Sequence, residues 1–274
     1  MENFVVSARK YRPADFKSVV GQQHITTTLQ NAIKNKHLAQ AFLFCGPRGV
    51  GKTTCARILA KTINCEAITK DFEACGTCAS CVSFQNNASF NVYELDAASN
   101  NSVDDIRNLV EQVRYAPQKG EYKIYIIDEV HMLSTAAFNA FLKTLEEPPK
   151  YAIFILATTE KHKIIPTILS RCQIFDFNRI QIKHIAEHLK YIAGMEVVDY
   201  EEEALRLIAT KADGALRDAL SMFDLIVTYS AGKKVTYLET IANLNILDYD
   251  YYFKVVDALL EENISTTLLL FDEI

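Results

Sequence analysis

The chain has 274 residues, with 49% hydrophobic and 23% charged residues, 9 Gly, 6 Pro and a formal net charge of −5. These values exclude a disordered chain, a collagen-like or low-complexity chain, and a protein coated in basic charge for nucleic acid, though not a local basic patch. The start, Met1-Glu2-Asn3-Phe4, has no basic segment leading into an apolar core, and no apolar run approaches the roughly 18 residues of a membrane span, so the expectation is a soluble cytoplasmic protein.

In chain order, residues 22–36 carry helical periodicity, with Ile25, Leu29, Ala32 and Ile33 on one face. Residues 41–45 form a short apolar run ending at Gly46, the pattern of a buried strand. A helix over 53–64 follows, with Ala56, Leu59, Ala60 and Ile63 inward. Strands are expected over 92–95, 123–127, 152–157 and 173–177. Between them lie helices over 103–113, with Ser102 as N-cap and Asp104 and Asp105 in its first turn, and over 134–145, stopped by Pro148-Pro149. Strands alternating with helices indicate a three-layer α/β domain with a parallel sheet. After about Asn178 the helical period takes over, at 182–193, 201–212, 216–229 and 236–244, which predicts a small all-helical domain. Two more helices, over 249–261 and 265–274, read as the start of a third helical domain that is incomplete here.

Gly46-Pro47-Arg48-Gly49-Val50-Gly51-Lys52-Thr53 fits the phosphate-loop pattern, with a strand before it and a helix after it. The glycines let backbone N–H groups wrap a phosphate, and the helix start adds partial positive charge. Thr54 continues the same turn. Lys52 is placed to reach the β- and γ-phosphates, and Thr53 to bind Mg²⁺. Asp128 and Glu129 end an apolar strand. The first suits the Mg²⁺ ion and the second the polarisation of an attacking water.

Seven cysteines are present, and Cys65, Cys75, Cys78 and Cys81 fall together. In a chain without a secretory signal, that clustering points to metal rather than disulfides. Four thiolates suit a closed, tetrahedral, structural Zn²⁺ site. The C-x-x-C-x-x-C triplet is also shared with iron–sulfur ligation, but residue 85 is Gln85 and no Pro follows, so the fourth position fails that pattern.

The phosphate loop, the acid pair and the helical region after them resemble the AAA+ ATPases. The stretches Ile126-Ile127-Asp128-Glu129-Val130-His131-Met132-Leu133-Ser134, Leu142-Lys143-Thr144-Leu145-Glu146-Glu147-Pro148-Pro149, Leu156-Ala157-Thr158-Thr159-Glu160 and Ile168-Leu169-Ser170-Arg171-Cys172 are similar to the clamp-loader branch of that family. So are Ala8-Arg9-Lys10-Tyr11-Arg12-Pro13 and Val19-Val20-Gly21-Gln22. The resemblance implies an AAA+ ATP-binding domain over 1–178 with a zinc insertion at about 65–82, a helical lid over 179–243, and the start of an oligomerising collar over 244–274.

It implies further that Thr159 is the sensor for the γ-phosphate or the attacking water, with Thr158 as the alternative. Arg171 is placed as an arginine finger entering a neighbouring subunit's site, against the alternative of a surface salt bridge. Arg217 is placed as a lid sensor for the γ-phosphate. Tyr11, Arg12, Pro13 and Val20 frame the adenine. Zinc is implied at the cysteine cluster. Asn100 and Arg107, at the start of a helix, are candidate contacts to DNA phosphates, with an i,i+3 ion pair to Asp104 as the alternative for Arg107. The implied function is the ATP-hydrolysing motor subunit of a bacterial DNA polymerase III clamp loader. Its expected partners are the other loader subunits, a sliding clamp and primer-template DNA. A branch-migration motor, a non-hydrolysing loader subunit and a small-molecule kinase are the competing readings.

Overall fold

The computed structural model describes residues 5–117, 120–230, 234–244 and 249–272. The chain's first four residues, the junction at 245–248 where the third helical region was expected to begin, and residues 273–274 of its last expected helix lie outside the described residues. A short helix α1 (Ser7–Lys10) precedes α2 (Gln23–Lys34), β1 (Ala41–Cys45) and α3 (Lys52–Ile63). Then come α4 (Ala79–Gln85), β2 (Val92–Asp96), α5 (Val103–Val113), β3 (Lys123–Asp128), α6 (Thr135–Glu146), β4 (Ala152–Thr158), α7 (Pro166–Leu169) and β5 (Gln173–Asp176). The second region holds α8 (Ile182–Met195), β6 (Asp199–Tyr200), α9 (Glu202–Lys211), α10 (Leu216–Tyr229), β7 (Lys234–Val235) and α11 (Tyr237–Leu244), followed by α12 (Tyr249–Leu260) and α13 (Ile264–Asp272).

The main sheet is five-stranded and parallel, in the order β2-β3-β4-β1-β5. The inner strands are buried along nearly their whole length, which is why they read as unbroken apolar runs. Their alternate residues feed two cores. Phe42, Phe44, Ile124, Ile126, Ile153 and Ile155 pack with α2 and α3 on one face. Leu43, Tyr125, Ile127, Phe154 and Leu156 pack with α5 and α6 on the other. The two edge strands, β2 and β5, are only partly covered.

The expected helices and strands are all present, with ends shifted by a residue or two. The structure adds α1, α4 and α7, and a two-residue parallel ladder between β6 and β7 within the helical lid. That ladder buries Val235 and is too short to leave a period-2 trace in the sequence. The lid has its own core, built on Ile185, Leu189, Ile192, Leu205, Ile208, Leu220, Phe223 and Ile226.

The topology places the site. β1 runs between β4 and β5, and the chain leaves β3, β4 and β1 at the same edge, the carboxyl ends of the parallel strands. Crevices there are the usual ligand position of such sheets. No helix among the described residues is long and apolar enough to cross a membrane.

Candidate nucleotide site and thiol cage

The loop between β1 and α3 turns through left-handed backbone at Gly49 (φ 77°) and Gly51 (φ 103°). A Cβ on Gly49 would come within 3.0 Å of the Ala215 Cβ in the lid, and one on Gly46 would run into the Phe177 carbonyl. Both positions therefore need glycine for close approach, not merely for the turn. No side chain caps the first turn of α3, so its amides are left to serve an anion.

Lys52 is 6% exposed, and its Nζ donates to the carbonyls of Gly46 and Pro47, each at 2.8 Å. Burial lowers its pKa from the ordinary lysine value, while Glu129 and Asp128 oppose that drop. The Thr53 hydroxyl donates to Asp128 Oδ2 at 2.6 Å, and the other Asp128 oxygen accepts from the Glu129 amide at 3.0 Å. Two oxygens of the kind that Mg²⁺ prefers, a hydroxyl and a carboxylate, thus meet at the end of the loop.

Glu129 adopts φ 47°, a conformation a glutamate rarely takes, where the chain turns out of β3 into a 3₁₀ turn at Val130–Met132. One of its oxygens, Oε2, accepts from the Thr159 hydroxyl at 2.9 Å and the Thr159 amide at 3.2 Å. The paired threonines separate cleanly. Thr159 holds Glu129, whereas Thr158 is fully buried, with its hydroxyl 3.0 Å from His131 Nδ1. His131 also lies 3.4 Å from Glu129 Oε2 and, through Nε2, 3.3 Å from Glu160 Oε1. His131 and Glu160 were given no role from sequence. Their signal was weak: a histidine two residues past an acid pair, and a charge after a strand end.

The lid reaches the loop through Arg217, whose backbone amide approaches the Gly49 carbonyl at 3.4 Å. Arg12 donates from Nε to the Thr54 hydroxyl at 3.2 Å, and burial, with Arg57 nearby, lowers its pKa. Of the residues expected around the adenine, Tyr11 and Val20 pack against the lid core, and Pro13 is half-buried beside Arg12. Gln22 was not singled out as a contact. It is fully buried, donates to the Asn178 carbonyl at 2.7 Å, and its Oε1 has no partner.

Arg171 is not brought to this site. It donates to Glu146 at 2.7 Å, to the Thr167 carbonyl at 2.7 Å and to Ser170 at 3.3 Å. The salt bridge is therefore formed in the single chain. Arg107 is likewise paired, with Asp104 at 3.2 Å, and both partners are well exposed. The Asn100 side chain donates to the Asp96 carbonyl at 3.1 Å. The start of α5 is closed by a reciprocal capping box between Ser102 and Asp105.

The cysteine cluster converges as its spacing required. The sulfurs of Cys65, Cys75, Cys78 and Cys81 all lie within 4.8 Å of one another. A Zn–S bond of about 2.3 Å places tetrahedral thiolates roughly 3.8 Å apart, so the cage has the right size. Backbone amides donate to the sulfurs along the cage, from Cys75 to Cys65 at 3.2 Å, from Cys78 to Cys75 at 3.3 Å and from Cys81 to Cys78 at 3.4 Å. The amides of Thr77 and Cys78 pull the Cys75 thiol down to about 6. Four sulfur donors with amide support fit a closed zinc site.

Comparison with known proteins places this geometry in a family. The family model described as "DNA polymerase III, delta subunit" matches residues 21–181. "DNA polymerase III clamp loader subunit, ATPase lid domain" matches residues 184–232. The chain is 48% identical to DNA polymerase III subunit tau of Bacillus subtilis over 97% of its own length and 47% of that protein. It is 43% identical to the Escherichia coli subunit tau over 99% of its length and 42% of that protein. Against DNA polymerase III subunit gamma of Buchnera aphidicola subsp. Acyrthosiphon pisum the identity is 40%, over 99% of this chain and 75% of that one. The chain thus spans under half the length of the two tau subunits. Among solved structures, the Thermotoga maritima RuvB Holliday junction branch migration motor superposes with a TM-score of 0.63 over 92% of this chain and 80% of that one, at 22% identity, a likeness of fold alone. The chain belongs to the family of the bacterial DNA polymerase III gamma and tau subunits.

Proposed function

We propose that this chain is the ATP-hydrolysing motor part of a replicative clamp-loader subunit that opens a sliding clamp and loads it on primed DNA. The observation that carries the reading is one hydrogen-bonded line, Thr53–Asp128–Glu129–Thr159, laid along the ends of β3 and β4 beside the phosphate loop. It supports reading Thr53 and Asp128 as a metal-binding pair beside Glu129 as a carboxylate base, the arrangement that hydrolysis requires and mere nucleotide storage does not.

On this reading the loop amides and Lys52 hold the ATP phosphates. Thr53 and Asp128 hold Mg²⁺, which when bound neutralises charge on the phosphate oxygens. Glu129 takes a proton from the attacking water, and Thr159 fixes the carboxylate that does so. Arg217 brings the lid to the γ-phosphate and Arg12, Tyr11, Pro13 and Val20 bound the base. Cys65, Cys75, Cys78 and Cys81 hold a structural zinc.

Arg171 leaves Glu146 to serve a neighbour's nucleotide once subunits assemble. Asn100 and Arg107 meet DNA phosphates on the open face of α5, Arg107 giving up Asp104. On the same reading the domains divide at 1–178, 179–243 and 244–274, with the last belonging to an assembly collar. The partners are other loader subunits, the clamp and primer-template DNA, in the cytoplasm.

The test is ATP turnover by the assembled subunit with clamp and primed DNA added one at a time. Stepwise stimulation supports the reading. Turnover indifferent to both, or stimulation by branched DNA in place of clamp, contradicts it.

A further inference from the structure

The segment 7–20 is tied down at three places. At its start the Ser7 amide donates to Asp224 Oδ2 at 2.7 Å, and its hydroxyl donates to the other oxygen of Asp224. Lys10 and the Tyr11 hydroxyl both donate to Glu196 Oε1, at 2.6 and 2.5 Å. These two carboxylates belong to the lid, one within α10 and one at the end of α8. In the middle, Arg12 donates to Thr54 on the phosphate-loop helix. At the far end a third carboxylate, Glu73, accepts the Phe16 amide at 3.0 Å, the Lys17 amide at 3.1 Å and the Gln30 side chain at 3.1 Å.

Glu73 belongs to neither the sheet nor the lid. It lies in the loop between Cys65 and Cys75, two residues before a thiol of the cage. That loop is folded on itself, with the Thr69 amide donating to the Glu73 carbonyl at 2.9 Å and the Glu73 amide to the Thr69 hydroxyl at 3.1 Å. It rests on the body of the ATPase domain. Phe72 of that loop packs against the core of the α3 face, as does Phe84 of α4, the helix that is capped by Cys78 and carries Cys81. The Arg57 guanidinium, one turn along α3 from Thr53, sits 5.1 Å from the Phe84 ring and donates to Asn87 at 3.1 Å. The insertion therefore bears on the same two elements that bound the nucleotide, the N-terminal segment and α3.

One carboxylate that captures two successive backbone amides fixes the turn that carries them, and a charged acceptor does so more strongly than a neutral one. The turn at Phe16 and Lys17 lies between Arg12 and Val20. Loosening it frees both flanks of the base-side wall while leaving the phosphate loop, which rests on β1 and α3, in place.

We propose that Glu73 is a positioning residue for the nucleotide: it seats the segment 12–20 against the phosphate-loop helix, so that the cysteine-ligated insertion sets how tightly the base end of ATP is held. This rests on the reading of Tyr11, Arg12, Pro13 and Val20 as the adenine wall.

The test compares wild type, Glu73→Gln and Glu73→Ala in zinc-loaded protein. Calorimetry with ATP and with inorganic tripolyphosphate, both with Mg²⁺, separates the base end from the phosphate end. Glu73→Ala should weaken ATP about tenfold and leave tripolyphosphate affinity and zinc content as in wild type. Glu73→Gln, which keeps one acceptor oxygen, should fall between. The proposal is overturned if either variant binds ATP as wild type does, or if ATP and tripolyphosphate weaken together. A wild type that binds tripolyphosphate as tightly as ATP overturns the adenine wall itself, and this proposal with it.

Discussion

Thr159 donates twice to one oxygen of Glu129, from its hydroxyl at 2.9 Å and from its amide at 3.2 Å. The residue read as the sensor is thus in direct contact with the residue read as the base. The neighbouring Thr158 is turned inward to His131. Thr159→Val removes the hydroxyl donor and keeps the amide. It should lower kcat about tenfold with little change in KM, because the lost bond orients the base rather than binding ATP. Thr158→Val should instead cost about 1–3 kcal/mol of stability, since it removes a buried hydroxyl that accepts the Glu160 amide and meets His131 Nδ1, and should spare kcat. Paired denaturation and steady-state kinetics on both variants check the assignment. The reverse pattern would move the sensor role to Thr158.

On the proposed reading Lys52→Ala should weaken ATP by a factor of about 100 or more, because it removes the buried ammonium assigned to the phosphates and leaves the loop amides to balance their charge only in part. Isothermal titration measures it. The variant should keep its fold, because the loop is also held by Thr53 on Asp128 and by the Gly46 amide on the Thr158 carbonyl.

The thiol cage should carry one zinc per chain. Elemental analysis of protein purified without chelator checks this, and iron in place of zinc would contradict it. Cys78→Ser should abolish that zinc and destabilise the insertion, because Cys78 is both a cage ligand and the N-cap whose sulfur accepts the Cys81 amide. The phosphate loop should survive the change, since its contacts run to Asp128, the Thr158 carbonyl and the lid.

Arg171→Ala should leave ATP binding by the same chain intact, because its partners are Glu146, Thr167 and Ser170 and none lies in the phosphate loop. In the assembly it should cut turnover at the neighbouring site by about 10³–10⁵ if the finger acts in trans. Mixed assemblies check this. A subunit carrying Arg171→Ala should still turn over beside a wild-type neighbour, and loss that follows the mutant's own site would show a finger acting in cis.

What the sequence disclosed follows how local each signal is. Phe42, Phe44, Ile124 and Ile126 lie in unbroken apolar runs, so the buried strands could be read directly, and the glycines at 46, 49 and 51 marked the loop. The cage was legible because four thiols of one type at short spacing have few other uses. The contacts of Arg171 with Glu146 and of Glu73 with Phe16 and Lys17 were not legible, for they join residues 25, 57 and 56 apart with no shared period. The β6–β7 ladder escaped because two residues cannot show an alternation. Arg107 could be read either way, and the isolated chain forms the ion pair.

The central claim is that Glu129 takes the proton from water in ATP hydrolysis, and one paired measurement tests it most directly. Nucleotide occupancy and steady-state turnover are measured on the same assembled sample, for wild type and for Glu129→Gln. The amide is close in shape to the carboxylate and can still accept from Thr159, but it cannot take a proton. Equal ATP occupancy with turnover lowered about 10²–10⁴-fold in the variant is the predicted result. Wild-type turnover in Glu129→Gln, at full occupancy, would contradict the account.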